Sequence, residues 1–77
     1  MTLDKVKRGS VVQIVSIDDE QSRSILIRMG ISEGSRVTCY ERLPLGPVIL
    51  RCKRQDIAIG RPLARCIHVI EDKQNAN

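Results

Sequence analysis

Four side chains of this sequence have the chemistry to bind a transition metal. They are the three cysteines and the one histidine, namely Cys39, Cys52, Cys66 and His68. Thiolates and imidazoles are preferred ligands of Zn²⁺, and four of them can form a tetrahedral site. No two cysteines have the Cys-x-x-Cys spacing, however, and free cysteine often serves as a small buried hydrophobe. We favour packing of the thiols in the core, with a metal-responsive regulatory module as the alternative.

Residues for catalysis are sparse. The sequence has no Gly-rich phosphate loop and no evident pairing of a nucleophile with a base. Its acidic cluster, Asp18 to Glu20, precedes an apolar stretch and is typical of a helix start, where carboxylates accept hydrogen bonds from free amides. Asp18 with Gln21 resembles a capping box. The sequence therefore predicts a protein that is not an enzyme, with no cofactor and no small-molecule substrate.

The positive charge suggests a second alternative, nucleic-acid binding. Thirteen Lys and Arg residues against nine Asp and Glu give a net charge of +4. Five of the basic residues fall in the central part of the chain: Arg36, Arg42, Arg51, Lys53 and Arg54. Small barrels that bind single strands also need aromatic side chains for base stacking, and Tyr40 is the only aromatic residue. We therefore expect at most weak, salt-sensitive binding of nucleic acid.

An apolar turn is the most unusual feature of the predicted surface. The segment Leu43-Pro44-Leu45-Gly46-Pro47 separates two predicted strands. Pro fixes one backbone angle in such turns, and Gly allows a positive φ. Hairpin tips are normally polar, so an apolar tip indicates either a contact surface or a leucine that folds back over the end of a barrel.

The remaining pattern predicts a mostly β protein whose core consists of aliphatic side chains, because the sequence contains neither Phe nor Trp. A four-residue turn would place Leu43 opposite Val48 and Cys39 opposite Cys52. Five short strands avoid open edges most simply by closing into a small barrel. We predict strands over 11–17, 36–43, 48–53, 57–59 and 67–70, a helix from about 18 to 29, turns at 32–35 and 54–56, a helical turn over 61–66 and a disordered tail over 71–77.

Apolar runs in the sequence are short. None approaches the ~20 residues that a membrane-spanning helix needs, and the N-terminus lacks the apolar stretch of a signal peptide. Together with three free thiols, this predicts a reducing, cytoplasmic environment.

Several of these segments occur together, in the same order, in one known family. They include the helix end Met29-Gly30-Ile31, followed by Gly34, and the Pro-x-Gly-Pro turn at residues 44–47. Across about residues 3–70 the sequence resembles FeoA, the small cytosolic component of the Feo ferrous iron transport system. It departs from the family in one place. Many relatives carry a basic residue soon after the last short strand, whereas this chain has Gly60 there and its basic residue, Arg61, follows. Its cysteines are not part of the family pattern.

The resemblance implies one FeoA-like domain over residues 1–77, with an SH3-like β-barrel of about five strands and one inserted helix. It also implies a non-enzymatic accessory role in ferrous iron uptake. The implied partner is FeoB, a membrane transporter with a cytosolic GTP-binding domain, so that the protein would lie at the inner face of the membrane only through that partner. The candidate contact residues are Leu43, Pro44, Leu45, Gly46 and Pro47, with Arg28 and Met29 as a second patch.

Overall fold

Five strands and two α-helices follow one another along residues 1–72, which are the residues that the structure, a computed structural model, describes. The mostly β class with one inserted helix and a short helical turn is confirmed. The elements are a 3₁₀ helix at Leu3–Lys5, then β1 (Val11–Ile17), α1 (Glu20–Arg28), β2 (Arg36–Arg42), β3 (Val48–Cys52), β4 (Gln55–Ile59), α2 (Arg61–Ala64) and β5 (Ile67–Glu71).

The strands form one antiparallel sheet in the order β4-β3-β2-β1-β5. The expected closure of the sheet is not seen, because β4 and β5 lie at its two edges and do not pair within residues 1–72. The start of the chain covers the β5 edge instead. The Val69 amide donates to the Met1 carbonyl over 2.9 Å, and Thr2 bridges to His68. The β5 edge is thus protected without a closed barrel.

The core is aliphatic, as predicted. Its fully buried side chains come from every strand, from α1, and from the 3₁₀ helix, whose Leu3 is 0% exposed. The largest of them are Leu3, Ile14, Leu26, Ile31, Leu50, Ile59 and Ile67. In so short a chain, a core of this kind commits most of the apolar side chains to folding.

The end of α1 matches its sequence signal. Gly30 has a φ of +87°, the left-handed conformation that favours glycine. The Ile31 amide then donates to the Leu26 carbonyl over 2.8 Å, and the Gly30 amide donates to the Ile27 carbonyl. These two bonds form a Schellman motif, which buries Ile31 completely and fixes the direction of the chain after the helix.

The start of α1 differs by one residue from the prediction. Asp19, not Asp18, is the N-cap, and its carboxylate accepts from the Ser22 amide over 2.8 Å. Asp18 lies 2.8 Å from Nε2 of His68 instead. Two adjacent aspartates offered the same local signal, and the contact with β5 decided between them.

The β2–β3 register was also predicted incorrectly. A bulge in β2 between Cys39 and Glu41 inserts Tyr40 as an unpaired residue. This bulge and a loop one residue longer than predicted together place Cys39 opposite Leu50 and not opposite Cys52. The loop has five residues, 43–47, and the last pair before it is Arg42 with Val48, so that Leu43 does not pair with Val48.

The turn between β3 and β4 lies one residue earlier than expected. Lys53 and Arg54 form it with φ angles of 53° and 69°, so Gln55 and Asp56 belong to β4 and not to the turn. Two consecutive positive φ angles are typical of a type I′ hairpin turn, which usually contains Asn-Gly. Neither lysine nor arginine favours this conformation, so the residue types did not reveal which two positions form the turn.

At the end of the chain, β5 extends to Glu71, and the Asp72 amide donates to the Val11 carbonyl over 2.8 Å. These two residues of the predicted disordered tail are thus paired with β1. The rest of that tail, 73–77, lies outside the described residues.

Three surface carboxylates make the stability depend on pH. Hydrogen bonds from Arg51 lower the pKa of Asp56, a hydrogen bond from Arg23 lowers that of Glu33, and the Ser22 amide lowers that of Asp19. A carboxyl group with a lowered pKa in the folded state stabilises that state above its ordinary pKa, which is 3.8 for Asp and 4.5 for Glu.

We therefore expect the melting temperature to be constant near neutral pH and to fall as the pH drops through about 4 and below. Thermal unfolding followed by circular dichroism between pH 7 and pH 2.5 measures this. Asp56→Asn should make the decline shallower. A melting temperature that rises on acidification would contradict the assigned pairs.

Candidate functional site

The β2–β3 loop projects apolar side chains into solvent. Leu45 is 100% exposed, Leu43 is 43% exposed, and Pro44 between them is also exposed. We call residues 43–47 the hairpin tip. The alternative in which a leucine folds back over the end of the sheet does not apply to Leu45, since that side chain has no protein surface covering it.

The hairpin tip is held in place from outside the hairpin. Arg61, the first residue of α2, donates from Nε to the Gly46 carbonyl over 2.8 Å and from Nη2 to the Leu43 carbonyl over 2.7 Å. The Gly46 amide also donates to the Leu43 carbonyl within the tip. One guanidinium thus fixes both sides of the loop, a geometry that the fork of arginine supplies and the single amine of lysine does not.

Sequence reasoning missed this role of Arg61, although it singled out the residue as a departure from the family pattern. Gly46 also acts differently from the prediction, because it is not among the residues with positive φ. A Cβ at Gly46 would lie 3.3 Å from Cβ of Leu43. Any larger residue would therefore crowd Leu43, and glycine suits the close approach of the two sides of the loop.

The second predicted patch lies elsewhere. Arg28 and Met29, at the end of α1, are exposed and line a shallow groove of about 380 Å³ with Gln55, Asp56 and Ile57 of β4. This groove lies beside the β3–β4 turn, at the opposite end of β3 from the hairpin tip. The structure therefore does not unite the two patches into one surface.

The possible metal ligands are dispersed. Cys39 is fully buried in β2, Cys52 is buried at the end of β3, and Cys66 and His68 belong to the β5 side of the sheet. Within residues 1–72, no group of three His, Cys, Asp or Glu side chains is placed to hold a metal ion. Cys39 and Cys52 contribute to the core cluster.

The three thiols should differ sharply in reactivity. Burial raises the pKa of the Cys39 thiol, whereas Cys66 is half-buried, with Sγ 3.6 Å from the Pro62 carbonyl. Because the thiolate is the reactive form and must be reached, we expect iodoacetamide to modify Cys66 about 100-fold faster than Cys39 or Cys52.

Peptide mass spectrometry over a time course of labelling measures these rates. Cys66→Ser should remove the fast phase. Fast labelling of Cys39 in the folded protein would contradict its position in the core.

Three of the five basic residues of the central hairpin are engaged within the protein. Arg51 forms an ion pair with Asp56 at 2.7 Å and stacks over the Tyr40 ring at 3.8 Å from its centroid. Arg36 pairs with Asp72, and Arg42 donates to the Asp4 carbonyl. One face of the only aromatic ring is thus covered by a cation, which disfavours the use of this hairpin as a stacking platform for bases.

Comparison with known proteins identifies the family. A sequence profile of the FeoA domain matches residues 1–71. The chain belongs to the FeoA family. Among solved structures, an iron uptake regulatory protein (FeoA) is 28% identical, with 92% of this chain and 96% of that chain covered and a TM-score of 0.85. A FeoA-like protein from Clostridium acetobutylicum is 23% identical over 100% of this chain and 92% of that chain, also with a TM-score of 0.85.

The same fold occurs as part of larger proteins. A manganese-dependent transcriptional repressor is 23% identical and has a TM-score of 0.84, with 92% of this chain but only 36% of that chain covered. This likeness confirms the SH3-like fold and carries no function with it. Curated protein sequences gave no significant match.

Between residues 1 and 72, no helix is both long enough and apolar enough to cross a bilayer.

Proposed function

We propose that this FeoA-family chain is a non-enzymatic accessory protein of ferrous iron uptake that docks on the cytosolic part of a FeoB-like transporter. The match to the FeoA domain over residues 1–71 carries the proposal. The similarity to an iron uptake regulatory protein at nearly full length supports the same pathway. The cytoplasm is the compartment that such docking requires.

The hairpin tip is the contact surface that we propose. Exposing a leucine side chain to water is unfavourable, and this free energy is recovered only when a partner covers the side chain. Leu45 is flanked by Pro44 and Leu43, so that a partner would meet one continuous apolar surface. Arg61 holds this loop in one conformation before binding, which reduces the entropy lost on association.

A titration of the full chain against the intact transporter in detergent or nanodiscs tests the proposal. We expect saturable binding of one partner to the other, and a smaller but measurable affinity for the isolated cytosolic domain. A strain that lacks this chain should take up ferrous iron more slowly and should recover when the chain is supplied. No binding to either transporter preparation would refute the proposal.

A further inference from the structure

The outer edge of β4 is an unpaired strand edge. In a two-residue hairpin the residues that flank the turn form a hydrogen-bonded pair, here Cys52 with Gln55, and such pairs alternate along the ladder. The backbone N–H and C=O groups of Asp56 and Ala58 therefore point away from β3. In the described part of the chain, neither residue makes a backbone hydrogen bond outside the strand ladders. This edge can therefore accept a further strand.

The groove beside this edge combines two apolar side chains with free positive charge. Its apolar part is made by Met29, which is 37% exposed, and by the half-buried Ile57. Arg28 lines the same groove, and Lys53 and Arg54 lead directly into β4. These three cations have no ion-pair partner among residues 1–72. The one carboxylate of the groove, Asp56, is neutralised by Arg51.

A second copy of this chain does not fit the edge. Antiparallel pairing of two β4 strands centred on Ile57 would place Lys53 opposite Arg61 of the other copy. Both residues lie outside β4, in the β3–β4 turn and in α2, so they would meet as neighbouring positive charges and not as ladder partners. Their repulsion would be repeated at both ends of the pair. The charge of the surroundings is instead complementary to a carboxylate-bearing strand.

We propose that β4 is a second docking surface, at which an extended acidic segment of a partner protein adds to the sheet as a sixth strand. The backbone of the segment bonds to Asp56 and Ala58, its apolar side chains rest on Met29 and Ile57, and its carboxylates meet the three free cations. Lys53 and Arg54 occupy the turn with positive φ angles, although Asn-Gly would form the same turn with less strain. The strained turn thus places two positive charges beside the β4 edge. This surface is separate from the hairpin tip and does not rest on the proposed function.

Nuclear magnetic resonance of the ¹⁵N-labelled full chain tests the inference with a blocked seven-residue peptide of alternating glutamate and valine. We expect shift changes at residues 28–29 and 53–58 and at least about tenfold slower amide exchange at Asp56 and Ala58 under saturating peptide. A matched lysine–valine peptide should bind at least about tenfold more weakly. Shift changes confined to other surfaces, or unchanged exchange at both amides, would overturn the inference.

Two variants separate binding from folding, and a third serves as the control. Lys53→Asn combined with Arg54→Gly removes two charges, favours the type I′ turn, and should weaken peptide binding about fivefold while raising the melting temperature. Ala58→Pro deletes an outward amide that β3 does not use, and should weaken binding with the sheet intact. Leu45→Glu should leave peptide binding unchanged, whatever it does to the transporter.

The same titration with a ten-nucleotide oligothymidine tests whether the surface binds nucleic acid instead. If it shifts the β4 residues and the acidic peptide does not, the surface binds nucleic acid and the inference is wrong.

Discussion

Leu45→Glu is expected to weaken binding to the transporter about thirtyfold or more. A leucine at the centre of an apolar contact contributes as a binding hot spot, worth about 2 kcal/mol, and a buried unpaired carboxylate adds a desolvation cost. The side chain is fully exposed in the free protein, so the free energy of unfolding should change by less than about 0.5 kcal/mol. Titration calorimetry and urea unfolding measure the two quantities separately.

Ile70→Glu is the matched control. Ile70 is an exposed aliphatic residue of β5, 54% exposed and remote in the sheet from the β2–β3 loop. The same change of charge there should leave the affinity for the transporter within about twofold of the wild type. Equal losses in the two variants would show that net charge and not the hairpin tip governs binding.

Arg61→Ala is expected to lower the free energy of unfolding by about 2 kcal/mol. The change removes two charge-assisted hydrogen bonds and leaves the carbonyls of Leu43 and Gly46 without this donor. The loop should then sample several conformations, so affinity for the transporter falls as well, although Leu45 itself is intact. Urea unfolding and amide exchange at Leu45 and Gly46 report the two effects.

Two further variants serve as controls for Arg61→Ala. Arg61→Lys keeps the charge but lacks the fork, and should recover less than half of the lost stability. Arg65→Ala removes an exposed arginine that makes no side-chain hydrogen bond or ion pair with residues 1–72, and should be nearly neutral. If Arg61→Ala leaves both stability and loop exchange unchanged, the support assigned to the guanidinium is wrong.

Local signals were sufficient wherever one short segment determined the conformation. The end of α1 was predictable because Gly30 and Ile31 satisfy the last carbonyls of their own helix. The strand β1 was predictable because five of its seven residues, from Val11 to Ile17, are β-branched. In both cases no distant residue was needed to choose between alternatives.

Features that depend on distant contacts were not predictable. The bulge at Tyr40 shifts the β2–β3 register, and nothing in the sequence near Tyr40 marks it. The cap of α1 moved to Asp19 because Asp18 contacts His68, fifty positions away. The role of Arg61 depends on carbonyls that lie 15 and 18 positions before it, and backbone carbonyls have no sequence signature.

The metal and nucleic-acid alternatives also depended on three-dimensional arrangement. The spacing of Cys39, Cys52 and Cys66 in the sequence was compatible with a shared metal site. The observed strand register places Cys39 opposite Leu50 and not opposite Cys52. The arginines of the central hairpin formed a basic surface in the sequence, and the structure pairs several of them with carboxylates or carbonyls. The two proposed contact surfaces, the hairpin tip and the groove beside β4, lie at opposite ends of β3.

Site-specific photocrosslinking in cells tests the central claim most directly. A photoreactive phenylalanine analogue is placed at position 45, or at position 70 as the control, with the transporter expressed at its native level. Our account predicts a crosslink between position 45 and the cytosolic part of the FeoB-like transporter, and none from position 70. A correctly folded protein that crosslinks from position 70 but not from position 45 would contradict it.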